Sequence, residues 1–263
     1  MITLIRVELL KLRTARMTYG LLAAAAGLSA LFCTLEAVRS GVGKPVAPLY
    51  TVAGLNSVIT GGVWSLMFAM ALGAIMSSGE FRHSTATFTY LVTPRRERVL
   101  AAKAIAAACA GMVFGLIGWL IPTGVGLAFV ASRGYHVAVT DATMARYAAG
   151  HLVAGALLAA IGVGLGALIR SQLAVVIGVF VWSIVIESLV GGLFTSARPY
   201  LPYTAATTLA GTPLGGAAFG AARTVAGGAG PLPFAGAAAL VAAVAAALAL
   251  IAARTTVRRD ITQ

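Results

Sequence analysis

Long stretches of this chain carry no charge at all. They run over residues 17–35, 45–79, 104–132, 147–169, 171–186 and 224–253. A helix needs about 20 apolar residues to cross a bilayer, so these stretches confine most of the chain to a membrane. Composition agrees: 60% of the residues are hydrophobic, 10% are charged, and the mean hydropathy is +0.95. A soluble domain has roughly a quarter of its residues charged, and a disordered chain is both more polar and more highly charged. Both classes are excluded.

Six spans fit the runs, at residues 18–38, 56–78, 104–130, 147–169, 172–194 and 233–253. The fold class expected is an all-α integral membrane protein with these six transmembrane helices. An even number of spans puts both termini on one side. Of the 19 basic residues, 13 then fall on the side of the termini and 6 on the other. Cytoplasmic loops hold the excess of Lys and Arg, which places both termini in the cytoplasm. The net charge of +12 reads as basic loops meeting anionic headgroups, and no nucleic-acid partner is expected. Arg6, Lys11, Arg13 and Arg16 precede the first span, but no small-x-small cleavage pattern follows it, so that span is expected to be retained. Cys33 and Cys109 lie inside apolar runs, and His83, His136 and His151 are scattered. Neither a disulfide nor a metal site is expected.

Residues 1–16 read as an amphipathic interfacial helix. Ile2, Ile5, Leu9 and Leu12 recur at helical spacing, Arg6 and Arg13 flank them, and the apolar face would lie down on the bilayer. Residues 45–55 are expected as an outer loop or short helix, since a 35-residue run is too long for one span. Residues 198–232 are apolar but broken by Pro199, Pro202, Pro213 and Pro231. Irregular backbone at membrane depth must be covered by protein or line a cavity, so short helices dipping into the outer leaflet are expected there. Gly162, Gly164, Gly166 and the Gly111–Gly115 pair read as close helix packing.

The chain has no P-loop string, no H-E-x-x-H, no Ser/His/Asp set and no carboxylate pair. It is not expected to be an enzyme, and any ATP chemistry must lie in a partner. Polar density concentrates in residues 79–103. There Thr93-Pro94 forms a helix start, and Arg95, Arg96 and Arg98 stand where cations oppose the helix dipole. Something outside the helix must therefore stabilise them, either lipid phosphate or acidic groups on a docked protein.

Glu80-Phe81-Arg82-x-x-Thr85, then Thr93-Pro94-Arg95-Arg96, then Lys103, resembles the type-2 permeases of ATP-binding-cassette exporters. Ser84 stands where many members have glycine. The resemblance implies an elbow helix at residues 1–16 and a cytoplasmic coupling helix between spans two and three, seated in a cleft of a separate ATPase subunit. It implies that ATPase coupling involves Glu80, Phe81, Arg82, Thr85, Thr87, Phe88, Pro94, Arg95 and Arg96. It also implies a second permease subunit, with ATP and Mg in the partner ATPase and no cofactor in this chain. The location implied is the bacterial cytoplasmic membrane.

Glu187 is the one acid deep in an expected span. A charge near the bilayer centre costs about 2.5–3.5 kcal/mol or more. It reads either as a substrate-path or gating residue, or as an acid near the outer interface, paired with Arg198 or hydrated. Trp64, Phe68 and Trp182 read either as lining an apolar substrate path at a dimer interface or as packing residues. Two other functional classes stay open: an ion-driven secondary transporter, which would need more buried ionisable residues and an internal repeat, and a non-transporting scaffold or sensor on a permease fold.

Overall fold

Among the described residues the long apolar runs are mostly helix, where backbone amides satisfy one another without water. The computed structural model describes residues 1–39, 49–82, 96–135, 141–169, 171–211 and 230–255. The helices are α1 (Ile2–Thr14), α2 (Arg16–Arg39), α3 (Val52–Ile59), α4 (Val63–Arg82), α5 (Arg96–Ser132), α6 (Asp141–Leu168), α7 (Gln172–Val181), α8 (Glu187–Leu193), α9 (Pro202–Leu209) and α10 (Phe234–Arg254). A 3-10 turn, Thr60–Gly62, joins α3 to α4, and a π turn, Trp182–Ile186, joins α7 to α8. Among the described residues there is no strand. Six helical segments there are long and apolar enough to cross a membrane: Arg16–Arg39, Gly54–Gly79, Glu97–Ser132, Ala142–Leu168, Gln172–Leu193 and Phe234–Arg254. This is the build of a multi-pass membrane protein.

The third span departs most from its expected bounds. It is already helical at Arg96, about two turns before residue 104, so Lys103 lies well inside the helix rather than opening it. Glu97 in the first turn suits the positive end of the helix dipole, and the alanines that follow favour helix. The far end closes at Gly134 (φ 67°). The Tyr135 N–H bonds Val130 O at 3.0 Å and the Gly134 N–H bonds Ala131 O at 3.0 Å, a left-handed cap that glycine adopts without strain.

The second and fourth spans are the centre of the bundle. The protein itself buries 89% and 61% of their apolar windows, against 17–33% for the other four. Missing side chains let these backbones touch. A Cβ at Gly73 would overlap the Ala159 carbonyl, and one at Gly162 or Gly166 would overlap the carbonyl of Met70 or Ala74. The Gly111–Gly115 pair meets Gly155 and His151 of the fourth span in the same way. The 162–166 stretch therefore serves two neighbours. Gly162 and Gly166, one turn apart, face the second span, while Gly164 faces Leu248 of the sixth.

The lead helix α1 is present, but the face it turns inward differs from the one expected. Glu8 and Leu12 are buried and Leu4 and Ile5 half-buried, whereas Leu9 is exposed and Ile2 is 83% exposed. Leu12 belongs to one buried apolar cluster with Leu100 and Ala25, against which Leu21 and Leu22 pack, and Glu8 reaches a buried cation described below. Apolar periodicity registers the leucines but not this ion pair, so it places the stripe about a fifth of a turn away. Residues 198–211 form a short 3-10 turn and α9. In α9 the residues Tyr203–Thr207 and Leu209 are buried, so this first part of the broken segment is covered by protein, while residues 212–229 lie outside the described residues.

Gly162→Ala is expected to lower stability by about 1–3 kcal/mol, the cost of overpacking a tight seam. Gly178→Ala has nothing within 4 Å to meet and should leave stability unchanged or slightly raised. Thermal unfolding in detergent, run on both variants, checks the contrast.

Candidate functional site

Two buried charge clusters stand at opposite ends of the bundle. The first centres on Glu187, at the start of α8. It lies six residues before the end of its span at Leu193, or about 9 Å at 1.5 Å per residue. Its side chain is buried. Oε1 accepts the Trp182 indole N–H at 2.9 Å and the Tyr203 backbone N–H at 2.8 Å. Oε2 accepts the Thr204 backbone N–H at 2.8 Å and its hydroxyl at 2.9 Å.

The local sequence explains why a distant acid is used. α9 begins with Leu201 at its N-cap and Pro202 at its first position. Leucine has no side-chain acceptor for the unpaired amides of a first helical turn. Glu187 supplies one from another helix, at the end where the dipole favours an anion. The π turn brings it there. Along the fifth span the buried residues Val175, Val179, Ser183, Glu187 and Gly191 repeat every four residues, longer than the 3.6 of an α-helix. One wide turn keeps Glu187 on the buried side and sets the Trp182 indole against its carboxylate. Tyr203 then carries the tie onward, its hydroxyl donating to Val63 O at the head of α4 at 2.8 Å. The fifth span, α9 and the second span are thus linked through one carboxylate and one phenol.

The other proposed path residues take separate places. Trp64 is buried and stacks on Phe32 of the first span, ring centres 4.5 Å apart and planes at 16°. Phe68, one turn along, meets Phe180 of the fifth span edge-on at 5.5 Å. Trp182 is partly exposed. The structure therefore joins Trp182 to Glu187 directly, and sets Trp64 and Phe68 in contacts between spans.

The second cluster lies at the end of the bundle that carries the N-terminus. Glu8 of α1 accepts Lys11 Nζ at 2.7 Å on Oε1 and Lys103 Nζ at 3.3 Å on Oε2. Lys103 also donates to Met76 O at 3.1 Å. Glu8 and Lys103 are both buried, while the Lys11 side chain is about half exposed. Three elements meet here: the lead helix, the last turns of the second span and the first turns of the third. Glu8 is absent from the sequence-derived candidates. The signal for it was its place between Ile5 and Leu12 on an apolar stripe, the only acid in residues 1–16.

Of the residues assigned to ATPase coupling, Glu80, Phe81 and Arg82 form the end of α4, and Arg96 begins α5. Their side chains lie outside the description, and Thr85, Thr87, Phe88, Pro94 and Arg95 lie outside the described residues altogether. Neither the comparison with protein-family models nor that with curated proteins yields a match.

Glu187→Ala strands two backbone amides, an indole and a hydroxyl, and should lower stability by about 2–4 kcal/mol, against about 1 kcal/mol for Tyr203→Phe. Chemical or thermal unfolding of the two variants checks the order. Lys103→Met leaves Glu8 buried with only the half-exposed Lys11, at a cost of about 3–5 kcal/mol. Replacing Glu8 as well, by Leu, should restore much of that loss. A double-mutant cycle measures it.

Proposed function

We propose that this chain is the membrane-spanning permease subunit of an ATP-binding-cassette exporter. ATP is hydrolysed by a separate partner subunit that holds the nucleotide and Mg. The permease works as a pair of such subunits in the bacterial cytoplasmic membrane, with both termini inside by the 13-to-6 distribution of basic residues. The substrate is hydrophobic or amphipathic, because the spans offer it aromatic and aliphatic surface.

One observation carries the reading. The buried Glu8–Lys103 pair, with Lys103 also on the Met76 carbonyl, ties the lead helix to the bases of the second and third spans. Residues 79–103 join those two bases along the chain. A loop that receives force from a docked ATPase needs such a stiff seat, or the force would bend the loop rather than move the spans. The six spans, the lead helix and the buried helix α9 add support. In this scheme the Glu187–Tyr203 tie carries movement of the fifth span into α9 and the second span, at the opposite end.

Mild-detergent purification of the chain from its native membrane, with co-purifying proteins sequenced, tests the proposal. A P-loop ATPase is expected in stoichiometric amount. Its yield should fall at least tenfold when Arg95 and Arg96 are both reversed to Glu in a variant that still inserts. A chain that purifies alone, where other membrane complexes survive, would overturn the exporter reading in favour of an ion-driven transporter.

A further inference from the structure

The lead helix presents to the outside a charged face that the described protein leaves unanswered. Its inward face is taken by Leu12 and by Glu8 on Lys103. The opposite face carries Thr3, Arg6, Val7, Leu9, Leu10 and Arg13 around a shallow concavity. Val7, Leu9 and Leu10 are exposed. Among the described residues, no acid pairs with Arg6, Arg13 or Arg16. Arg6 and Arg13 stand two turns apart, about 10 Å, with Leu10 between them.

The connection to the first span sets the depth of this face. A single extended residue, Ala15 (φ −76°, ψ 116°), separates α1 from α2. The Tyr19 hydroxyl closes the corner on Arg13 O at 2.8 Å. The uncharged run of that span begins at Met17, so Arg13 and Arg16 stand where hydrocarbon gives way to headgroups. Tyrosine is itself enriched at that boundary. Cations beside aliphatic side chains, at that depth, match a surface of phosphate above acyl chains.

We propose that the outward face of α1 is a docking surface for anionic phospholipid headgroups. Arg6 and Arg13 hold the phosphates, and Val7 and Leu10 seat in the acyl boundary. Because Glu8 on the reverse face is tied to Lys103 and, through it, to Met76 O, lipid held on the outside braces the bases of the second and third spans. Anionic lipid thereby stabilises the bundle. This does not rest on the exporter reading.

The test uses the full chain in nanodiscs of phosphatidylcholine with and without phosphatidylglycerol, with retained lipid counted by native mass spectrometry. Each arginine near an anionic surface is worth about fivefold in partitioning. The wild type should retain phosphatidylglycerol over phosphatidylcholine, and Arg6→Gln/Arg13→Gln should lose at least tenfold of that preference. Arg6→Lys/Arg13→Lys should keep most of it. An unchanged preference in the glutamine variant, or none in the wild type, overturns the proposal. So does displacement of the lipid by excess inorganic phosphate, which would mark a site for a free anion. For the bracing step, phosphatidylglycerol should raise the thermal midpoint of the wild type. Glu8→Gln/Lys103→Met should still retain the lipid but lose that rise, and a rise that persists overturns the bracing.

Discussion

Removing a carboxylate from water costs several kcal/mol unless donors inside the protein replace the lost hydration. Glu187 meets that demand with four donors, one from Trp182 in its own span and three from α9. In meeting it, the residue decides where α9 sits. Without an acceptor at its head, α9 would leave unpaired amides in an apolar interior, where each is expensive. The phenol of Tyr203 extends the same logic to the Val63 carbonyl. The far end of the bundle is thus organised by polar groups that have nowhere else to turn.

The near end follows the same rule with opposite charges. Glu8 and Lys103 neutralise each other out of water, and a second donor of Lys103 is met by a backbone oxygen. Between these two ends the described spans pack in close contact. The second and fourth spans approach until backbone meets backbone at Gly73, Gly162 and Gly166. That is the expected solution where lipid offers no hydrophobic drive for helices to associate. His151 shows how tight the seam is. It is fully buried, with Nδ1 on the Tyr147 carbonyl at 2.9 Å, and Gly62 and Gly115 pressed against its side chain and backbone.

If the chain is the permease proposed above, this distribution of stiffness matters more than any single residue. The bases of the second and third spans are locked by an ion pair, the centre is a close-packed glycine seam, and the opposite end turns on one carboxylate. A tilt of the second span at its base would reach α9 through Tyr203 and the fifth span through Glu187. Trp64 and Phe68 would carry it to the first and fifth spans through their ring contacts. In the lipid-docking proposal, an anionic membrane surface would enter the same circuit through the outward face of α1.

Sequence alone determined the helical class, the six apolar helices of spanning length to within a few residues at most ends, and the existence of the lead helix. These follow from properties that depend on local composition: uncharged length, helical periodicity and proline breaks. It also singled out Glu187 as an acid with no local reason to be in a span. Tertiary structure decided the rest, because each remaining feature depends on which distant group arrives. Glu187 caps a helix because Leu201 cannot and because a π turn aims it there. Lys103 sits inside a helix, facing Glu8, rather than opening one at a loop. The lead helix turns Glu8 and Leu12 inward, because an ion pair and Leu100 outweigh the extra leucine and isoleucine that periodicity alone would bury. Spacing along a chain cannot report such choices, since they are made by partners up to 95 residues away.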